Sequence, residues 1–252
     1  MLRRRWTVLA VAVLVLVLAV LASLALGSRA IPPGHVLDAL LHPRGTEEDV
    51  IVRSLRVPRT VVGLAAGAAL AVAGVLMQAL TRNPLADPRI MGVTSGASLG
   101  VVIAISVFGL TALPSFLWFG VAGAALAGAF VHALSARTRD GASPVTLALA
   151  GTALDASLTG VVVGVLTVNQ QTFDTFRFWA VGSLAGRPPQ VATWVVPFVA
   201  AGVLVAFAAA RGLDALALGD DVARGLGRNV GRVRLGAAAA AILLTGAAVA
   251  AA

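Results

Sequence analysis

The sequence predicts an all-α polytopic membrane protein, and two observations carry that expectation. Of its 252 residues, 59% are hydrophobic and only 12% are charged, about half the ~25% charged fraction of soluble domains. The apolar residues also gather into runs of about twenty, the length a helix needs to cross a bilayer. A third observation narrows the chemistry. All nineteen basic residues are arginine, so the chain has no Walker A lysine for a nucleotide phosphate and no amine for Schiff-base catalysis. Cysteine is absent too, which removes disulfides and thiolate metal sites.

The elements follow in order. Three arginines, Arg3 to Arg5, precede an apolar run from Thr7 to Leu26. A secretory signal has an apolar core of only ~7–15 residues, so this run reads as a retained first helix rather than a leader cut near Ala30. Ser28 to Leu55 is a polar connection in which Val36, Leu37, Leu40 and Leu41 recur at helical spacing. A second helix is predicted from Thr60 to Leu80. Asn83-Pro84 and Asp87-Pro88 then interrupt, with Asp87 and Pro88 suited to cap and open the next segment. The third helix covers Met91 to Leu110, the fourth Ser115 to Leu134, and the fifth Pro144 to Val168. Asn169 to Gln190 is an amphipathic connection. A sixth helix spans Val191 to Ala210, Arg211 to Arg234 forms a polar basic loop, and a seventh apolar run closes the chain from Leu235.

Charge sets the orientation. With the N-terminus inside, twelve of the nineteen arginines fall in inside segments: Arg3, Arg4, Arg5, Arg82, Arg89, Arg137, Arg139, Arg211, Arg224, Arg228, Arg232 and Arg234. Positive residues in short loops face the cytoplasm, so the Asn83–Pro88 turn and the 211–234 loop are placed there. This distribution assigns the net charge of +8 to membrane topology and not to nucleic acid. The last run stops without a polar flank, so the sequence reads as part of a longer chain, one membrane domain over 1–252.

Small residues mark the packing faces. Gly63, Gly67, Ala71 and Gly74 share one face of the second helix, and Gly92, Gly96 and Gly100 recur every fourth residue in the third. Gly120, Ala124 and Gly128 do so in the fourth, and Gly160 and Gly164 in the fifth. In lipid such faces let helix backbones approach, which predicts a bundle of helices two to five. Asp155 lies mid-helix, where a carboxylate is costly to insert. It is read either as a pathway or ion-coupling residue or as a structural acid near Thr152 and Thr159. In the 211–234 loop, Asp220 can cap a short helix, Val222 and Leu226 share its apolar face, and Gly227 can end it. Such a helix suits a groove on a partner protein or the lipid surface. Outside, Arg53, Arg56 and Arg59 cluster before the second helix, positioned to snorkel to headgroups or to meet an acidic partner.

These stretches together resemble the FecCD-type permeases. The resemblance is carried by RVPRT at Arg56–Thr60, GAALAVAGVLMQ at Gly67–Gln78, RNPLADP at Arg82–Pro88 and GVTSGASLG at Gly92–Gly100. LALAG at Leu147–Gly151, WAVGSL at Trp179–Leu184 and LALGDDVARGLG at Leu216–Gly227 continue it in order. Such permeases are the membrane subunits of binding-protein-dependent ABC importers for iron–siderophore complexes, haem and cobalamin. The resemblance implies a subunit of about ten helices, of which about seven stand here. It also implies a second permease subunit, identical or paralogous, a separate ATPase dimer that binds ATP and Mg, and an extracytoplasmic binding protein. The chain itself would be no enzyme, would need no cofactor or metal, and would sit in the bacterial cytoplasmic membrane.

Residue by residue, the resemblance gives Arg56 and Arg59 to binding-protein docking. It gives Gly219, Asp220, Asp221, Ala223, Arg224, Leu226 and Gly227 to a coupling helix on the ATPase, and Ser143 and Pro144 to the neighbourhood of a cytoplasmic gate. Asp155 stands where the family has a small or apolar residue, so its role is not carried over. The implied activity is import of an iron(III)–siderophore-type chelate by alternating access, with haem or cobalamin as the alternative cargo. Two rivals remain: an ion-coupled transporter using Asp155, and a membrane transferase using Asp220 and Asp221 on a diphosphate.

Overall fold

In a computed structural model, residues 2–111, 113–137, 144–184 and 189–251 are described. They form helices α1 (Leu2–Ala25), α2 (Pro33–Leu41), α3 (Glu47–Thr81), α4 (Val93–Ser106), α5 (Leu113–Ala136), α6 (Pro144–Val168), α7 (Gln170–Val181), α8 (Pro189–Ala217), α9 (Asp220–Gly225) and α10 (Val230–Ala251). A 3₁₀ turn, Pro88–Met91, precedes α4. The chain divides into two compact units, Met1–Leu64 with Leu184–Thr193, and Ala65–Ser183 with Trp194–Ala252. Six of the helices, α1, α3, α5, α6, α8 and α10, are long and apolar enough to cross a membrane.

Several boundaries differ from the sequence expectation, each for a local reason. The second long helix begins at Glu47, not Thr60. Thr46 and Asp49 form a capping box, in which the Thr46 side chain accepts from the Asp49 N–H and the Asp49 carboxylate accepts from the Thr46 N–H. The acidic trio that reads as loop is therefore the first turn of a helix, where acids are favoured. Residues Ile51–Arg56 are wound as a π-helix, the Val57 N–H donating to Val52 O. Pro58 follows at once; a proline crowds the carbonyl four residues back, and a wider turn relieves that crowding.

The third apolar helix, α4, has 14 residues and is about 21 Å long, short of the ~30 Å apolar core of a bilayer. It ends early because the Leu110 N–H donates to Ala104 O at 3.1 Å and the Gly109 N–H to Ile105 O at 3.1 Å, a glycine-terminated helix end. At the other extreme, α8 runs on through Ala217 and α10 begins at Val230, where Asn229 accepts from the Arg232 N–H at 3.0 Å. The predicted 211–234 loop is thus the end of one helix, the short α9, and the start of another.

The first unit packs around Ile31, Val36, Ala39 and Val52, with Leu24 against them. Apart from its last turns, α1 exposes its Leu and Val side chains all round, as a helix facing lipid would. In the second unit the closest pairing is α4 with α5. A Cβ added at Gly96 would lie 2.5 Å from Gly123 O, and one at Gly100 would collide with Phe119 O. α6 and α10 lie against this pair, and α7 packs on α4 through Phe176 and Trp179. α8 meets α10 at Gly202 beside Leu244 and at Gly212 beside Val233.

The expected glycine stripes are only partly used. Gly96, Gly100, Gly123 and Gly128 are in close contact, whereas Gly67, Gly74, Gly160 and Gly164 have nothing within 4 Å of an added Cβ. The seam is α4 with α5, not an equal bundle of helices two to five. Gly100→Leu should therefore destabilise the protein by about 1–3 kcal/mol, as overpacking does, while Gly74→Ala should leave it unchanged or slightly stabilised. Thermal unfolding of the two variants in detergent tests the contrast; equal melting temperatures would contradict it.

Candidate functional site

The short helix α9 is bounded by two glycines in left-handed geometry, Gly219 at φ 115° and Gly227 at φ 73°. These are conformations a side chain resists. At its end the Gly227 N–H donates to Arg224 O and the Arg228 N–H to Ala223 O, both at 2.9 Å, so the terminal carbonyls are satisfied. Asp220 is the first helical residue rather than the cap, because Gly219 occupies that position and no side chain caps the helix. Ala223 is fully buried, which seats α9 on the second unit. Leu218, Val222 and Leu226 stay exposed, with Asp221 and Arg224 paired beside them at 2.8 Å.

The two neighbouring aspartates face different surroundings. Asp221 is 99% exposed at its side chain. Asp220 is held between two guanidinium groups: Arg82 donates to its Oδ1 at 2.5 Å and Arg234 to its Oδ2 at 3.0 Å. One carboxylate thus joins the end of α3, the start of α9 and the start of α10. A diphosphate or Mg²⁺ site at Asp220–Asp221 has no free carboxylate pair to work with.

The Asn83–Pro88 turn is built from its own side chains. Asn83 Oδ1 accepts from the Leu85 N–H at 2.9 Å, and Asp87 Oδ1 from the Arg89 N–H at 2.8 Å. Asp87 and Pro88 take the predicted cap and first positions, but of the 3₁₀ turn. In α6, Asp155 is half-buried, and among the described residues it has no hydrogen-bond partner. Thr152 does not reach it, since its hydroxyl donates to Ala148 O at 2.9 Å in its own helix. Ser143 lies outside the described residues, and Pro144 opens α6.

Arg56 and Arg59 belong to the first unit. Arg56 is only 4% exposed. Its Nη1 donates to Leu24 O at 2.7 Å and its Nη2 to Arg29 O. Arg59 donates to Ser23 O at 2.8 Å, and Ser23 and Thr60 share a hydroxyl contact of 2.7 Å. These arginines therefore cap the C-terminal carbonyls of α1, a favourable place for cations, and Arg56 offers no free surface to a partner. The sequence held a clue, because the last turn of α1 has no basic residue of its own. Arg53 is exposed and has no hydrogen-bond or ion-pair partner among the described residues, while Arg29 pairs with Glu47 at 3.0 Å.

This is a multi-pass helical membrane protein with a short helix, α9, between two of its long apolar helices. The chain belongs to the FecCD transport family, whose model matches residues 15–252, a family of ABC permease subunits and not enzymes. It is 36% identical over 246 residues to YfiZ of Bacillus subtilis, a permease protein named for siderophore transport, covering 98% of this chain and 74% of that protein. It is 40% identical over 238 residues to the ferric enterobactin transport system permease protein FepD of Escherichia coli, covering 94% and 71%. A solved inward-facing ABC transporter of metal-chelate type shares the fold with a TM-score of 0.82 at 24% identity, over 97% of this chain and 75% of that one. The protein is accordingly a multi-pass protein of the bacterial cytoplasmic membrane.

Replacing Arg56 would leave the Leu24 and Arg29 carbonyls unpaired. Arg56→Ala should cost about 1–3 kcal/mol, the usual penalty for stranded buried groups, and Arg56→Lys should recover only part because it lacks the forked donors. Limited proteolysis of the 26–32 connection reads this directly: faster cleavage is expected in both variants, and cleavage at the wild-type rate would contradict the cap.

Proposed function

We propose that this chain is a permease subunit of a binding-protein-dependent ABC importer that carries an iron(III)–siderophore-type chelate inward by ATP-driven alternating access. The single observation that carries the reading is α9: an exposed Val222–Leu226 surface with Arg224 beside it, on a helix fixed between two left-handed glycines. An apolar ridge with a charged margin suits a groove on a soluble protein. Family membership supports reading that protein as the ATPase dimer, which would hold ATP and Mg. The iron–chelate class is supported by the naming of YfiZ and FepD; haem or cobalamin is the alternative cargo within the same mechanism.

In this mechanism, closure of the ATPase pair displaces α9, and the displacement passes into the helices joined to it. A second permease subunit completes the pathway, and an extracytoplasmic binding protein delivers the chelate. On the outer side, Arg56 and Arg59 position the end of α1, and the exposed Arg53 is the charge available to an acidic docking surface. Rim charges of this kind govern encounter more than affinity. The open glycine positions of α6 and the half-buried Asp155 suit a face turned to the pathway, where a bulky chelate passes without being gripped. No covalent step is required of this chain.

Arg224→Glu and Gly227→Trp should each reduce ATPase copurification by at least about tenfold, the range of coupling energies between interacting partners, while the chain still inserts in the membrane. Pull-down from solubilised membranes measures this. Undiminished ATPase recovery with both variants would remove α9 from the interface.

A further inference from the structure

Arg82 is the one non-glycine residue with positive φ among the described residues, at 50°. It sits just past the end of α3, where the Asn83 N–H reaches back to Gln78 O at 3.2 Å. That bond spans the six-residue helix ending in which the left-handed position is ordinarily glycine. Local backbone preference therefore asks for glycine, and an arginine stands there instead. Its guanidinium lies on Asp220 at 2.5 Å, across 138 residues of sequence. The other oxygen of the same carboxylate holds Arg234, whose side chain is 15% exposed. A conformational penalty kept at a functional segment needs a compensating interaction, and this ion pair is the interaction present.

We propose that Asp220 is a positioning residue that links α9 to the membrane helices, through Arg82 to α3 and through Arg234 to α10, so that displacement of α9 moves both. The inference rests on the importer reading above and goes beyond it by dividing the short helix into two faces. Val222, Arg224 and Leu226 meet the partner; Asp220 faces the protein and transmits. A carboxylate between two guanidiniums makes the link stiff in one arrangement, since losing the carboxylate leaves two like charges close together. Chains of hydrogen-bonded and ion-paired side chains between rigid helices can carry coupling of this kind, and the three residues form one.

Arg82→Gly separates transmission from folding, because glycine suits the backbone at this position while deleting the ion pair. The full complex is reconstituted in proteoliposomes with its ATPase and binding protein, and a ferric siderophore serves as the probe. Arg82→Gly should accumulate in the membrane and melt no lower than wild type, and should retain its ATPase. It should nevertheless hydrolyse about tenfold more ATP per chelate imported. Asp220→Asn should show the same uncoupling, Asp220→Glu should stay within about twofold of wild type, and the double variant Arg82→Gly with Asp220→Asn should be no worse than Asp220→Asn alone. An unchanged ATP-to-chelate ratio in Arg82→Gly would overturn the inference while leaving the importer reading intact. Loss of ATPase binding in Arg82→Gly would also overturn it, because the pair would then hold the docking site rather than transmit through it. If the wild-type chain recovers no ATPase, the importer reading fails and this inference fails with it.

Discussion

The backbone of α4 rests directly on that of α5, and the order of the second unit depends on that contact. Gly96 and Gly100 meet Gly123 and Phe119 O with no room for a side chain between them. α6, α7 and α10 then lie against the pair. In lipid there is no hydrophobic force to draw helices together, so close backbone approach and dispersion must do so. The contact matters the more because α4 has only 14 residues. A helix of this length reaches only part of the way across a bilayer and depends on its neighbours on both sides.

Arginine supplies what the packing cannot. In the first unit Arg56 and Arg59 satisfy carbonyls at the end of α1, which has no basic residue in its own last turn. In the second unit Arg82 and Arg234 converge on Asp220. A guanidinium can donate in several directions from one planar group, and this chain without lysine uses that property at the end of α1 and around Asp220. The residues that look from the sequence like free docking charges are partly internal ties, and the exposed ones, Arg53 and Arg224, are those without carbonyl partners.

Much of the fold was legible in hydropathy, because runs of apolar residues near twenty admit few other readings. The misplaced boundaries lie where a local hydrogen bond overrides hydropathy. The Thr46–Asp49 box turns an acidic stretch into the start of α3, and the Leu110–Ala104 bond cuts α4 short inside an apolar run. The family was legible from its motifs, and α9 from the Asp220–Gly227 pattern, although Gly219 and not Asp220 takes the cap position. The inward direction of Asp220 was not, because one partner lies 138 residues away and side-chain direction around a six-residue helix is not set by spacing alone. Likewise, nothing in their pattern distinguishes the packed Gly96 and Gly100 from the open Gly67 and Gly74. Only the neighbouring helix does.

In the proposed mechanism the membrane chain is a passive transmitter, with energy entering at α9 from a separate ATPase and the chelate arriving on a binding protein. The most direct test is uptake of a ferric siderophore into proteoliposomes that hold the complex, with ATP enclosed and a proton or sodium gradient imposed or collapsed. Uptake should require both ATP and the loaded binding protein and should be unchanged when the gradient is collapsed. Uptake that persists without ATP and disappears with the ion gradient, and that is abolished by Asp155→Asn, would contradict the mechanism.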